Sequence, residues 1–428
     1  MHGVDTAEAV RQTMMLLTVI IVAAKVGGEL LGRLGQPPVL GELLIGVVLG
    51  NLNLLGFPLL EPLKGNAALA VLAEIGAILL LFEVGVESDL GQLLAVGWSS
   101  LLVAFLGVLA PMVLGYLVAV QLIPAAGWLS HLFVGGTLTA TSVGITARVL
   151  KDLGKSNTKE ARIILGAAVA DDVIGLVVLA VISGLTTAEA AGSRLNGISW
   201  MDSLWIVVKA SLFLILAVAA GRFWSQRVFT YAARLQVAGA LLALCVCFCF
   251  VMATLAGFAG LAPIVGAFAA GVVLEEVHYQ PFLERGERNV QELLFPLTTL
   301  VVPVFFVVMG FRVDLRSFAS WAVLAFAGLI TAVAVIGKQL CALGVLERGV
   351  DRIAVGVGMI PRGEVGLIFA GLGSTLVLRG QPVLSPTTFS ALVLVIMVTT
   401  FITPPLLKAA FNREERSRLR EPDPLLKT

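Results

Sequence analysis

Apolar runs long enough to cross a lipid bilayer recur along almost the whole chain, and that recurrence limits the fold more than any other feature. A spanning helix needs about 20 mostly apolar residues, because inside hydrocarbon only a helix or a closed barrel satisfies every backbone N–H and C=O. Counting such runs between charged or Pro/Gly-rich breaks predicts about thirteen transmembrane helices. They start near residues 10, 38, 66, 95, 128, 160, 203, 236, 259, 291, 319, 351 and 385. With 58% of the 428 residues hydrophobic and 13% charged, too few polar residues remain to coat a water-soluble core. The predicted class is an all-α integral membrane protein.

A formal net charge of +1 with no basic stripe gives no sign of a nucleic-acid partner, which is set aside. Cys245, Cys247, Cys249 and Cys341 lie in apolar runs without zinc-site or disulfide spacing, and read as packing residues. No resident cofactor is implied. The N-terminal segment lacks a basic n-region, so its apolar run is expected to remain as a helix rather than to act as a cleaved signal. Only a short polar tail follows Phe411, too little for a folded domain.

An odd number of spans puts the termini on opposite sides, and loop charge decides which is which. One alternate set of loops carries Lys151, Lys155, Lys159 and Arg162, then Arg222, Arg227 and Arg234, then the basic C-terminal tail. The opposite set carries only scattered cations such as Arg11, Lys64, Arg194 and Arg379. The expected orientation is N-terminus outside and C-terminus cytoplasmic, in a bacterial-type plasma membrane.

Against that apolar background, charges inside the runs stand out. Asp171 and Asp172 sit near the middle of the run Ile163 to Leu185, flanked by Gly166, Ala167, Ala168 and Gly175. An ionised carboxylate at that depth costs about 2.5 kcal/mol or more unless paired or hydrated, so two side by side need a reason. Small neighbours let another helix or water approach. Adjacent residues on a helix diverge by about 100°, so one aspartate can face a partner while the other faces a cavity. A salt-bridge cluster that only fixes packing is the bland alternative, but Lys338 alone neutralises one carboxylate and leaves the other.

Two runs look broken. Gly135 to Gly144 places glycines, threonines and Ser142 in the centre of one span; Gly356 to Gly366 adds Pro361, Arg362 and Glu364 to the same recipe. Each lies in the next-to-last span of its group, before the Gly/Ser/Ala-rich linker at Thr186 to Met201 and before the C-terminus. Interrupted segments in corresponding positions of two halves point to inverted repeats whose two broken helices cross at a binding site. Either break alone is compatible with ordinary glycine-mediated packing. Broken helices expose N–H and C=O ends with about half a charge each; Arg362 is expected to balance carbonyl ends, and Glu364 to balance Arg362 or the amide ends.

These segments resemble bacterial NapA-type sodium/proton antiporters of the monovalent cation/proton antiporter superfamily. The resemblance rests on Thr139 to Leu150, Ile163 to Val173 and Gly358 to Leu367, with weaker similarity at Pro38 to Leu43, Pro303 to Gly310 and the Gly337-Lys338 pair. It implies a homodimer in membrane lipid, with dimerisation segments at 1–94 and 236–318. Core segments would be 95–186 and 319–413, with a linker at 187–235 and a tail at 414–428. It implies Na+ and H+ as substrates, no enzyme activity, Asp172 as the alternating sodium and proton ligand, and Asp171 as the partner of Lys338. Electroneutral relatives carry Asn at the position of Asp171, so the Asp-Asp pair implies net charge movement. Lys338 lies about six residues past the middle of its run, roughly 9 Å toward the cytoplasmic end. Thr141, Ser142 and freed carbonyls are the expected companions of Asp172 around sodium.

Other readings carry less. An aspartyl-protease dyad needs carboxyls facing each other from different helices, and a sodium-coupled solute carrier remains the alternative transporter. Glu29 and Arg33 are spaced as a helical i,i+4 pair. Glu42, Glu83 and Glu87 are expected on solvated faces, and His131 and His278 at exposed span ends.

Overall fold

The computed structural model describes residues 6–57, 66–87, 97–190, single positions between 208 and 237, 239–274, 276–283, 286–378 and 380–418. The predicted linker and the span expected near 203 fall largely outside them. Helices occupy nearly all of the described chain. They are α1 (Thr6–Arg33), α2 (Pro38–Gly50), α3 (Ala67–Glu87), α4 (Trp98–Leu122), α5 (Trp128–Thr137), α6 (Val143–Asp152) and α7 (Lys159–Ala190). The series continues with α8 (Ala240–Phe258), α9 (Pro263–Val273), α10 (Glu276–Leu283), α11 (Val290–Phe311) and α12 (Trp321–Leu340). It ends with α13 (Arg352–Gly358), α14 (Glu364–Thr375) and α15 (Pro386–Arg418). Among the described residues the only strands are Val377–Leu378 and Gln381–Pro382, paired antiparallel between α14 and α15.

Eight of these helices are long and apolar enough to cross a membrane, and α2, α9 and α14 are shorter apolar helices. Their starts follow the sequence because the breaks between apolar runs are chemically explicit. Pro38 and Pro263 occupy the first turns of α2 and α9, where a missing N–H costs nothing. At the end of α6, Gly154 takes φ +66°, and the Lys155 N–H reaches back to the Leu150 carbonyl at 2.8 Å. That left-handed cap turns the chain sharply into α7, the helix with the two aspartates.

The chain forms two compact units. The first comprises 1–90, 176–318 and 375–390. Within it α2 and α11 approach to backbone contact. A Cβ on Gly46 would lie 2.3 Å from the Val307 carbonyl oxygen, and one on Gly310 would lie 2.3 Å from that of Leu43. Asn51 closes the end of this pair. Its amide donates to the Val47 and Val313 carbonyls at 2.8 Å each, and its oxygen accepts the Leu315 N–H at 3.1 Å. Phe82, Phe229, Phe282, Cys245 and Cys249 share one apolar core of this unit.

The second unit comprises 91–175, 319–374 and 391–428. Here α4 packs on α5 and α12, and α12 on α13. Gly337 of α12 lies against Pro111 of α4, where an added Cβ would sit 2.9 Å from the proline backbone. One apolar cluster joins α4, α7, α13 and the end of α12 through Val103, Ile164, Ala168, Cys341 and Met359. All seven site residues singled out above belong to this unit.

Candidate functional site

Both predicted breaks are present. Helix stops at Thr137 and resumes at Val143; it stops again at Gly358 and resumes at Glu364. Pro361 has no N–H to continue α13, and the surrounding glycines and hydroxyl residues weaken the helical alternative. The two breaks meet. Ser142 donates its backbone N–H to the Pro361 carbonyl at 2.8 Å, and a Cβ on Gly363 would lie 2.7 Å from Ser142 Oγ.

Each interruption frees carbonyls inside a buried environment, where an unpaired one costs about 1–3 kcal/mol. Hydroxyls of one break serve carbonyls of the other. Thr146 Oγ1 donates to Gly358 O at 2.7 Å and Thr141 Oγ1 to Met359 O at 3.3 Å. Arg362, fully buried, supplies the charge. Its guanidinium donates to Leu138 O at 2.8 Å, to Ile360 O at 2.9 Å and to Ala334 O at 3.2 Å, while Thr400 Oγ1 donates to the Arg362 carbonyl. The cation thus lies at the carbonyl end of α5, within hydrogen-bond reach of Leu138 O. Glu364 opens α14, in the first turn of that helix.

Asp171 and Asp172 project differently from α7. Asp171 is fully buried and lies 3.2 Å through each carboxylate oxygen from Lys338 Nζ, which is also fully buried. Lys338 further donates to the Thr139 carbonyl. Gly107 of α4 makes room for this pair, since a Cβ there would stand 3.5 Å from Lys338 Nζ and 3.7 Å from Asp171 Oδ1. Although Lys338 sits in the last turn of α12, its long side chain brings the ammonium to the aspartate. Asp172 is 8% exposed, and its buried Oδ1 makes no hydrogen bond. Near it are the charges of Asp171, Glu364 and Lys338. The arrangement therefore separates a satisfied ion pair from an unsatisfied carboxylate one residue away.

Sequence reasoning missed Thr146 and Thr400, whose hydroxyls hold the breaks, and the backbone of Thr139 and Ala334. Hydroxyl residues inside otherwise apolar spans were the available signal. Glu29 and Arg33 pair at 2.8 Å as expected. Two expectations need correction. Glu42, read as a solvated-face residue, is 7% exposed, because α2 lies between α1 and α11. His131, read as an exposed span end, is buried in α5. Its Nε2 lies 3.1 Å from the Ile123 carbonyl, and its ring packs edge-on to Tyr116. Glu83 is half-buried and accepts the Thr298 hydroxyl at 3.2 Å, whereas Glu87 is exposed. The His278 side chain is outside the described residues.

Residues 16–413 match the family described as sodium/hydrogen exchanger, transmembrane. The chain is 35% identical to the high-affinity Na+/H+ antiporter NhaS3 of Synechocystis, over 95% of this chain and 92% of that one. It is 33% identical to the Na+/H+-K+ antiporter GerN of Bacillus cereus, over 94% and 97% respectively. Among solved structures, the sodium proton antiporter MjNhaP1 from Methanocaldococcus jannaschii superposes with a TM-score of 0.67 at 15% identity, covering 94% of this chain and 97% of that one. At that identity the likeness establishes the fold.

Proposed function

The chain belongs to the sodium/hydrogen exchanger family, and on that premise we propose that Asp172 is the group at which Na+ and H+ alternate. The protein is an integral membrane antiporter that exchanges Na+ for H+. Its family is one of transporters rather than enzymes. Two carboxylates on one helix, one of them tied to an ammonium, are also a poor start for a protease dyad.

The observation that carries the site assignment is the unsatisfied Asp172 Oδ1 beside the crossing of two broken helices. A hard cation such as Na+ needs several oxygen ligands. Here it would draw on the Asp172 carboxylate, on Thr141 or Ser142, on backbone carbonyls near the breaks, and on water. A proton and a sodium ion compete for the same carboxylate, and that exclusion couples the two fluxes. The Arg362 guanidinium and the hydroxyl bridges keep the broken backbone intact in both loaded forms.

Asp171 and Lys338 supply a second titrating unit. Sodium arriving at Asp172 disfavours a positive charge nearby, so Lys338 releases its proton as the ion binds. Two protons then exchange for one sodium, and each cycle moves a net charge, coupling transport to voltage at about 2.3 kcal/mol per 100 mV. Access alternates as the unit holding the site moves relative to the membrane. The working assembly is a homodimer in a bacterial-type plasma membrane, with the N-terminus outside and the C-terminus cytoplasmic.

The test is sodium-evoked proton movement into sealed proteoliposomes loaded with a pH dye, wild type beside Asp172→Asn. Loss of exchange in a variant that melts with the wild type is expected; retained exchange would sink the role of Asp172.

A further inference from the structure

Four helix ends of the site-bearing unit gather at one place. Leu150 of α6, Ala161 of α7, Ala354 and Val357 of α13, and Leu407 and Phe411 of α15 form a single buried apolar knot. Exposed cations surround it: Arg148 and Lys151 at the end of α6, Lys159 and Arg162 at the start of α7, Lys408 and Arg413 near the end of α15. None of these six side chains is hydrogen-bonded or paired with a carboxylate among the described residues.

Most of the acids at this end are already engaged. Glu160 is buried and accepts the Asp351 N–H at 3.1 Å. Asp351 caps α13 by accepting the N–H groups of Ile353 and Ala354 at 2.7 and 3.3 Å. Glu347 accepts the Ser99 hydroxyl. Asp152 stays exposed among the cations. The six cations outnumber these four acids, so this end of the unit carries net positive charge.

Depth identifies the counter-charge. Lys159 and Arg413 stand at the ends of two bilayer-length apolar helices. Large apolar side chains emerge beside the cations, with Leu406 40% and Ile353 43% exposed. Cations that border a lipid-facing apolar belt stand at the level of phosphate headgroups, not in bulk water. We propose that this basic rim of the site-bearing unit binds the phosphates of anionic lipids in the leaflet it faces. The rim goes beyond a topogenic bias in loop charge, because the knot gathers the ends of three helices that each carry two exposed cations.

The experiment is thermal melting of the purified full-length antiporter with added lipid, phosphatidylcholine alone against phosphatidylcholine with phosphatidylglycerol. Anionic lipid is expected to raise Tm and zwitterionic lipid to leave it unchanged. Lys151→Gln/Arg162→Gln/Lys408→Gln should weaken apparent lipid affinity roughly a hundred-fold, at about 1 kcal/mol for each cation removed. Arg316→Gln, an exposed cation of the other unit, should not. High salt should erase the wild-type shift, which keeps a test should the triple variant fold poorly. An equal shift with inorganic phosphate would overturn the lipid assignment in favour of a soluble anion. An unchanged lipid response in the triple variant, or in high salt, would overturn the proposal itself.

Discussion

Lys338 and Asp171 show how a single residue position decides what an intramembrane charge can do. Both are fully buried, so removing one partner leaves the other as an uncompensated charge, at a cost of about 3–5 kcal/mol. Lys338→Met is therefore expected to lower thermal stability sharply in a melting assay. Adding Asp171→Asn to it should recover most of the loss, because neither member of the pair is then left as an uncompensated charge. If the double variant melts no higher than the single one, the pair is not what stabilises this region. Thr146 makes a milder case. Its hydroxyl serves the Gly358 carbonyl at 2.7 Å, and Thr146→Val should cost about 1–3 kcal/mol by stranding that carbonyl. Neither Thr146 nor Thr400 was legible beforehand, because a hydroxyl in an apolar span can equally bond the carbonyl one turn back in its own helix, as Thr137 does to Phe133 at 2.8 Å.

The interrupted helices were legible as elements, since Pro361 and the clustered glycines weaken a helix whatever surrounds them. Their crossing was expected from the matching positions of the breaks in two halves, but the atoms that touch were not, because the contact joins segments more than two hundred positions apart. Glycines that look alike in the sequence divide sharply once the helices pack. A Cβ on Gly363 would lie 2.7 Å from Ser142 Oγ, while one on Gly144 meets nothing within 4 Å. Gly363→Val should consequently push the breaks apart and depress sodium-driven exchange with a raised KM. Gly144→Ala lies inside α6 and should stabilise it by up to about 1 kcal/mol, through helix propensity alone. Equal effects of the two substitutions on transport would remove the packing argument. The misread Glu42 belongs to this scale too. Its polarity suggested a wet face, but Gly41 lies so close to Gly27 that a Cβ there would stand 2.0 Å from the Gly27 carbonyl oxygen, and such close packing buries α2 from α1.

For the molecule as a whole, the decisive quantity is the charge moved per cycle. With Asp171 and Lys338 taking part, exchange in proteoliposomes should accelerate or slow as a potassium diffusion potential is imposed, in the direction set by net positive charge moving with the protons. Asp171→Asn together with Lys338→Met should leave exchange that ignores voltage. Exchange indifferent to voltage in the wild type would keep the antiporter and discard the proton-carrying role of Lys338. No single distance fixes stoichiometry, which is a property of the whole transport cycle.

The sequence by itself determined the solvent, where the described apolar helices begin, both breaks and the carboxylate pair. Each follows from a local cost: apolar length against bilayer thickness, proline and glycine against helix continuity, and charge against hydrocarbon. Tertiary structure alone decided the assignments between partners. Arg362 donates to the Leu138 and Ala334 carbonyls, Thr146 serves the Gly358 carbonyl, and Asp172 keeps an oxygen without a hydrogen bond. The physical reason is that an intramembrane charge must find a partner, but nothing in its own segment specifies which one; only the packing of distant helices brings a particular oxygen within reach.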